Sequence, residues 1–345
     1  MRKLKYILIA IAILIVAGAS VPHLFPVTDT AVFTGDYRIP YSMGYDYFLY
    51  GRYSKRVSSM DVIPVIGDSV IWGHYTDGGN TLPANLNRVY PKAKFMNMGL
   101  DGIHPAAMNG LVEMNLSYFR NRRIIAGINL LWMSSPRHDL TGPVNSETNH
   151  KLLLPQFYPV IPSYAPSFEG RLSAVINRSL TFFLWIDHIK QTRFAEKSFY
   201  QWTMSNPHKC ITEYFLETGD TFSPPEGTAP EKMQEQNISW VGTDKSLQWK
   251  FMVETLIMLK NNGNRVCAVI TPFNTYMMNG ESRRKYFSIL AEMKAALRSN
   301  GITAVMPLKP GKKYFADASH PTAQGYRLIA EAMVKNKEFI EFLEE

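Results

Sequence analysis

The sequence predicts an α/β protein: a three-layer αβα sandwich on a five-stranded parallel sheet, with a large insertion after the third strand. Two observations carry this. Short apolar runs rich in β-branched residues alternate with longer stretches of helical periodicity. Strand–helix–strand alternation implies right-handed crossovers and a parallel sheet. The alternation breaks once, between about residues 136 and 240, where Pro155, Pro159, Pro162, Pro166, Pro224, Pro225 and Pro230 lie among aromatics and short polar clusters. A length of 345 residues at 46% hydrophobic content suffices for one large domain with an insertion, or for two domains.

The first strand is Val62-Ile63-Pro64-Val65-Ile66-Gly67, an apolar run closed by a glycine. After Ser69 comes the polar loop Asp77-Gly78-Gly79-Asn80, then a helix over Leu82–Val89. The second strand is Lys94–Met98, followed by Asn97-Met98-Gly99-Leu100-Asp101-Gly102. A helix over about His104–Phe119 places Met108, Leu111, Val112 and Phe119 on one face. The third strand is read as Arg123–Trp132. Within the insertion, about Arg171–Trp202 is helical in character and is expected to form a lid or acceptor-binding subdomain over the site. Regularity returns with a helix from a Thr243-Asp244 cap to about Asn261, and Arg265–Thr271 is the fourth strand. Ser282 is read as the cap of a helix with Tyr286, Ile289, Leu290, Met293 and Leu297 at 3.6-residue spacing. Ile302–Met306 is the fifth strand, and a final helix carries Tyr326, Ile329, Ala330 and Met333 inward.

The N-terminus opens Met-Arg-Lys-Leu-Lys and then runs from Tyr6 to Thr28 without Asp, Glu, Lys or Arg. A basic flank before an apolar stretch is the pattern of an export signal. Two readings stay open: an uncleaved anchor, since the run approaches the roughly 20 residues that span a bilayer, or a signal peptide cut after Ala17-Gly18-Ala19. Both place the rest of the chain outside the cytoplasm. The expected organisation is therefore an N-terminal signal segment (1–26), an aromatic stalk (27–60) and a catalytic domain (61–345) with the insertion 136–240.

The formal charge of +8 comes from scattered Lys and Arg, with no basic run that would suit nucleic acid. The chain has two cysteines; Cys267, in an apolar run, is read as a buried free thiol rather than half of a disulfide with Cys210. His138, His150, His188 and His208 fall in the insertion without metal-ligand spacing, so surface or packing roles are expected. Dinucleotide, phosphate-loop and zinc-protease motifs do not occur, so no cofactor and no metal are expected.

The chemistry points to the two ends of the sandwich. Gly67-Asp68-Ser69 closes the first strand, and Asp317-Ala318-Ser319-His320-Pro321 precedes the last helix. A serine hydroxyl needs a base to take its proton, and a histidine base needs a partner to fix its tautomer. Asp317, three residues before His320, can be that partner. Sites in open parallel sheets form at the carboxyl ends of strands, which places Ser69 and His320 on one edge.

As a pair these two blocks resemble the SGNH (GDSL-type) hydrolase superfamily, over most of residues 60–335. The resemblance implies a flavodoxin-like sheet with Ser69 as nucleophile, His320 as base and Asp317 as its orienter. It also implies three oxyanion donors: the serine N–H, a glycine N–H after the second strand, and an Asn side chain after the third. Ser69 supplies the first, and Gly99 within Asn97-x-Gly99-x-x-Gly102 matches the second. The third departs from the pattern. With Asn129 read as lying inside the strand, Trp132-Met133-Ser134-Ser135-Pro136 offers Ser134 or Ser135 as donor, Ser134 being the one expected. This departure is more compatible with the divergent cell-envelope branch, the membrane-associated proteins of alginate-type O-acetylation and teichoic acid D-alanylation. The implied function is serine-dependent acyl-ester chemistry, O-acetyl transfer to or removal from a cell-envelope polysaccharide. The implied partners are an acylated carbohydrate or acyl donor, the membrane and a multi-pass membrane acyltransferase. The alternatives are a secreted esterase of small or lipid esters, or a non-catalytic glycan-binding assembly subunit.

Overall fold

The computed structural model describes residues 2–24, 37–142, 150, 152–153, 161–164, 167–194, 197–208, 222–223, 234–307 and 310–344. Cys210 and most of the insertion's prolines lie outside them. The architecture is a three-layer αβα sandwich around five parallel strands in the order β2-β1-β3-β4-β5: β1 (Ile63–Gly67), β2 (Phe95–Gly99), β3 (Arg123–Ile128), β4 (Arg265–Ile270) and β5 (Thr303–Val305). β1 pairs with β2 from Ile63↔Phe95 to Gly67↔Gly99, and β3 pairs with β4 from Arg123↔Arg265 to Ile128↔Ile270. Both faces are covered, so the strands are almost continuously apolar rather than alternating.

Side chains on a strand point to alternate faces, and this sorts the core into two. Ile66, Met98, Ile124, Ala126, Ile128 and Ile270 face one layer, made by α2 (Tyr47–Ser58), α5 (Pro105–Met114), α9 (Leu247–Asn261) and α10 (Gly280–Ser299). Val65, Ile125, Cys267, Val269 and Val305 face the other, made by α3 (Ser69–Trp72), α4 (Leu82–Val89), α11 (Ala323–Met333) and α12 (Lys337–Glu344). Cys267 is a buried free thiol whose burial pushes its pKa well above the usual range.

Residues 37–58, within the expected aromatic stalk, pack onto the domain. Asp46 caps α2 by accepting from Leu49 N–H at 2.8 Å, and Tyr47, Tyr50 and Tyr53 recur at helical spacing and sink into the core. Two element ends differ from the sequence reading. β3 stops at Ile128 instead of running to Trp132; Leu130–Met133 form a 3₁₀ turn. α10 starts at Gly280 under an Asn279 cap, so Ser282 lies inside its first turn.

The helical part of the insertion is α6 (Phe168–Ser179), α7 (Thr181–Phe194) and α8 (Phe199–Ser205). α7 packs on α2 and on α1 (Arg2–Leu24), where Gly18 lies against Phe182. These helices therefore flank the N-terminal elements instead of covering the strand tips. Among the described residues one helix is long and apolar enough to cross a membrane, by length and composition: Lys3–Ser20 within α1, with mean hydropathy 1.9.

Candidate active site

Strand order reverses direction at β1, whose neighbours β2 and β3 lie on opposite sides. Such a switch point opens a crevice at the strands' carboxyl ends, and Ser69 stands there as the first residue of α3. Asp68 caps this one-turn helix, accepting from Val70 N–H at 3.1 Å. The glycine before it is required by close approach. A Cβ on Gly67, or on Gly127 of the adjacent β3, would meet Ile71 Cγ1 at 2.4 Å. Ile71 thus seats α3 in a notch across two strands. The helix's far end is held as well: Arg38 donates to the carbonyls of Trp72 (3.2 Å) and Gly73 (2.7 Å), and Asn97 Nδ2 donates to that of Ile71 (2.9 Å).

β5 lies at the far edge of the sheet from β2, yet His320 reaches Ser69, because the loop after β5 runs back across the strand tips. Asn274, just beyond β4, donates its N–H to the Ala318 carbonyl (2.8 Å) and its amide to that of Asp317 (3.2 Å). α11 then packs on α4, which lies against β2. Within the loop Asp317 Oδ1 accepts the N–H groups of Ser319 and His320, each at 2.8 Å. This local wrap points the carboxylate at its own histidine: His320 Nδ1 lies 2.8 Å from Asp317 Oδ2, and Nε2 lies 2.8 Å from Ser69 Oγ. A carboxylate can only accept, so Nδ1 carries the proton and Nε2 faces the hydroxyl with its lone pair. Burial pulls the His320 pKa down, but the hydrogen bond and charge of Asp317 outweigh it and leave it raised. Burial likewise raises Asp317, and the His320 contacts bring it below the usual carboxylate value. Ser69, His320 and Asp317 are therefore brought together in one hydrogen-bonded chain.

The structure treats the other two expected donors differently. Gly99 N–H is occupied by Asn97 Oδ1 at 3.0 Å, and a Cβ on Gly99 would lie 2.4 Å from Trp72 N. Gly99 is a packing glycine beneath α3, not an open donor. Ser134 Oγ lies 2.8 Å from His138 Nδ1, which engages its hydroxyl. Asn129 lies directly after β3. Its Nδ2 donates to Asp68 Oδ2 at 2.8 Å, and its Oδ1 accepts from Leu131 N–H at 2.9 Å. Trp132 Nε1 joins the same Asp68 oxygen at 2.8 Å. Burial raises the Asp68 pKa, countered first by the Asn129 bond. The sequence reading missed Gly127-Ile128-Asn129, which puts a carboxamide directly after the last residue of β3.

Sequence reasoning also missed the residues beside His320. His74 Nδ1 lies 2.5 Å from Asp101 Oδ1, and its ring is 5.2 Å from that of His320. Tyr75, in a left-handed conformation (φ 56°), stands edge-on to His320 at 5.4 Å. Burial, then the Asp317 charge, pushes its hydroxyl up to about 12. Among the described residues of the insertion, Phe222 stacks on His74 at 5.1 Å, and His150 Nε2 donates to the Asp101 carbonyl at 2.7 Å. Of the other insertion histidines, His188 is buried and His208 is exposed.

No known family profile and no curated protein matches the chain. Among solved structures, it is similar to a member of the lipolytic protein G-D-S-L family from Veillonella parvula DSM 2008. The identity is 13%, with 80% of this chain and 97% of that one covered, at a TM-score of 0.41. It is also similar to a carbohydrate acetylesterase family member from Sinorhizobium meliloti, at 9% identity, 81% and 99% coverage and a TM-score of 0.35. At such identities the function has to be argued from the chain's own residues.

Proposed function

We propose that this chain is an extracytoplasmic serine acyl-ester enzyme that transfers O-acetyl groups to, or removes them from, a cell-envelope polysaccharide. The observation that carries the reading is the unbroken chain Asp317–His320–Ser69 at the sheet's switch point. Ser69 Oγ attacks the ester carbonyl while its proton passes to His320 Nε2. The imidazolium then gives that proton to the leaving alcohol, and an acetyl-Ser69 ester remains. Water or a sugar hydroxyl attacks that ester, its proton again going to His320 Nε2, and Ser69 is restored. Asp317 holds the ring and stabilises the imidazolium.

The developing oxyanion needs donors fixed in advance. Ser69 N–H, at the first position of α3, has no intrahelical acceptor. The Asn129 amide, held by Asp68, is the side-chain donor we assign in place of Ser134. The apolar α1 supports attachment to a membrane, where an acceptor glycan of the envelope and a multi-pass acyltransferase would be met. Fluorophosphonate treatment of the full chain is expected to label Ser69. Ser69→Ala should abolish labelling with little change in melting temperature. Labelling that persists or moves to another serine would refute the reading.

A further inference from the structure

We infer that His74 positions the acyl acceptor, and that the acceptor it selects carries two adjacent hydroxyls, as a sugar ring does. This rests on the acyl-enzyme reading above. Nδ1 of His74 faces the Asp101 carboxylate at 2.5 Å. A carboxylate only accepts, so Nδ1 carries a proton, and the ring in its neutral form presents Nε2 as an acceptor. The His320 ring, whose Nε2 serves Ser69, lies 5.2 Å away. Two acceptor nitrogens on neighbouring rings match a vicinal diol, whose oxygens stand about one hydrogen-bond length apart. One hydroxyl attacks acetyl-Ser69 and gives its proton to His320. The adjacent hydroxyl donates to His74 Nε2 and keeps its own proton. The new ester forms as the Ser69 ester breaks, His320 Nε2 returns the proton to the departing Ser69 Oγ, and nothing else is consumed.

The ring is built to stay in this pose. Phe222 covers one face, with 8° between the planes, and Trp72 and Tyr41 flank it. Asp101 is fixed in turn through its carbonyl by His150, whose Nδ1 lies 3.1 Å from the Tyr47 hydroxyl. The His74 side chain is 19% exposed, beside the reacting serine and not in the core.

The test is a competition on the full chain in detergent, with p-nitrophenyl acetate as donor and ethylene glycol and ethanol as acceptors. Mass spectrometry reads the ratio of glycol to ethanol acetate. His74→Phe keeps a stacked ring and removes the acceptor nitrogen. It should lower that ratio roughly three- to tenfold, the worth of one net hydrogen bond. Asp101→Asn should lower it similarly, because an amide donating to Nδ1 moves the ring proton to Nε2; it gives the same reading if His74→Phe does not fold. His74→Gln, which retains an acceptor oxygen, should recover part of the ratio. A ratio unchanged in His74→Phe and Asp101→Asn, with acetyl-Ser69 still forming, overturns the inference alone. Absence of acetyl-Ser69 in the parent chain overturns the function reading as well.

Discussion

His320 and His188 both rest a ring nitrogen on an aspartate, and only one of them is placed for chemistry. His188 Nδ1 lies 2.5 Å from Asp46 Oδ2, with side chains 0% and 1% exposed, and joins α7 to the cap of α2. Its Nε2 is buried and finds no partner among the described residues. His320 and Asp317 are 10% and 24% exposed, and the far nitrogen meets a serine hydroxyl. The carboxylate does the same work in both pairs, fixing a tautomer. What the second nitrogen faces decides whether the pair is a strut or a base.

The largest expected effect sharpens the catalytic half of this contrast. His320→Ala should lower turnover of an activated acetyl ester by on the order of 10⁶, and Asp317→Asn by about 10⁴, because the base is indispensable and its orienter less so. The base works neutral, so the rate should rise with pH. Its midpoint should lie above the ordinary histidine value of about 6.5, since the His320 pKa is raised despite burial. Asp317→Asn should move that midpoint to lower pH. Full activity in His320→Ala would remove the proposed base.

A smaller effect separates the two candidates for the third donor. Asn129→Ala should cost roughly 10²–10³ in turnover while Ser69 still reacts with the probe. Ser134→Ala should stay within about twofold of the parent, since its hydroxyl is engaged by His138. The reverse ranking would return the donor role to Ser134.

The structural half is tested by His188→Ala. Removing one member of a sealed pair leaves Asp46 buried without it, which should cost about 3 kcal/mol in chemical denaturation. Turnover per folded molecule should stay within about twofold. A loss of turnover comparable to His320→Ala would break the contrast.

The sheet was legible because fully buried parallel strands are apolar throughout, and the Asp317–His320 wrap because its contacts are local. The end of β3 was not. Leu130 and Met133 keep the apolar run going through a 3₁₀ turn, and apolarity alone does not tell strand from turn. That reading placed Asn129 inside a strand and left Ser134 as the expected donor. Gly99 was misread for a different reason: its N–H is taken by Asn97, a side-chain bond that no pattern announces. α2 could have been read from Tyr47, Tyr50 and Tyr53 under an Asp46 cap. His74 and Asp101 could not be paired, because the strand order and turns that join them are properties of the assembled sheet.

The grip of Arg38 on α3 has a mechanical consequence. Following the chain from α1, Tyr37 packs edge-on to Tyr53 of α2, and beside it Arg38 holds the Trp72 and Gly73 carbonyls, stacked 3.8 Å from the Trp72 ring, with Trp72 Nε1 bonded to the Ile39 carbonyl at 2.7 Å. Were α1 held at a membrane, as proposed above, tension along the chain would reach the turn that carries Ser69 through this grip. Trimming the chain beyond residue 36 would remove a bracket from the nucleophile's own helix.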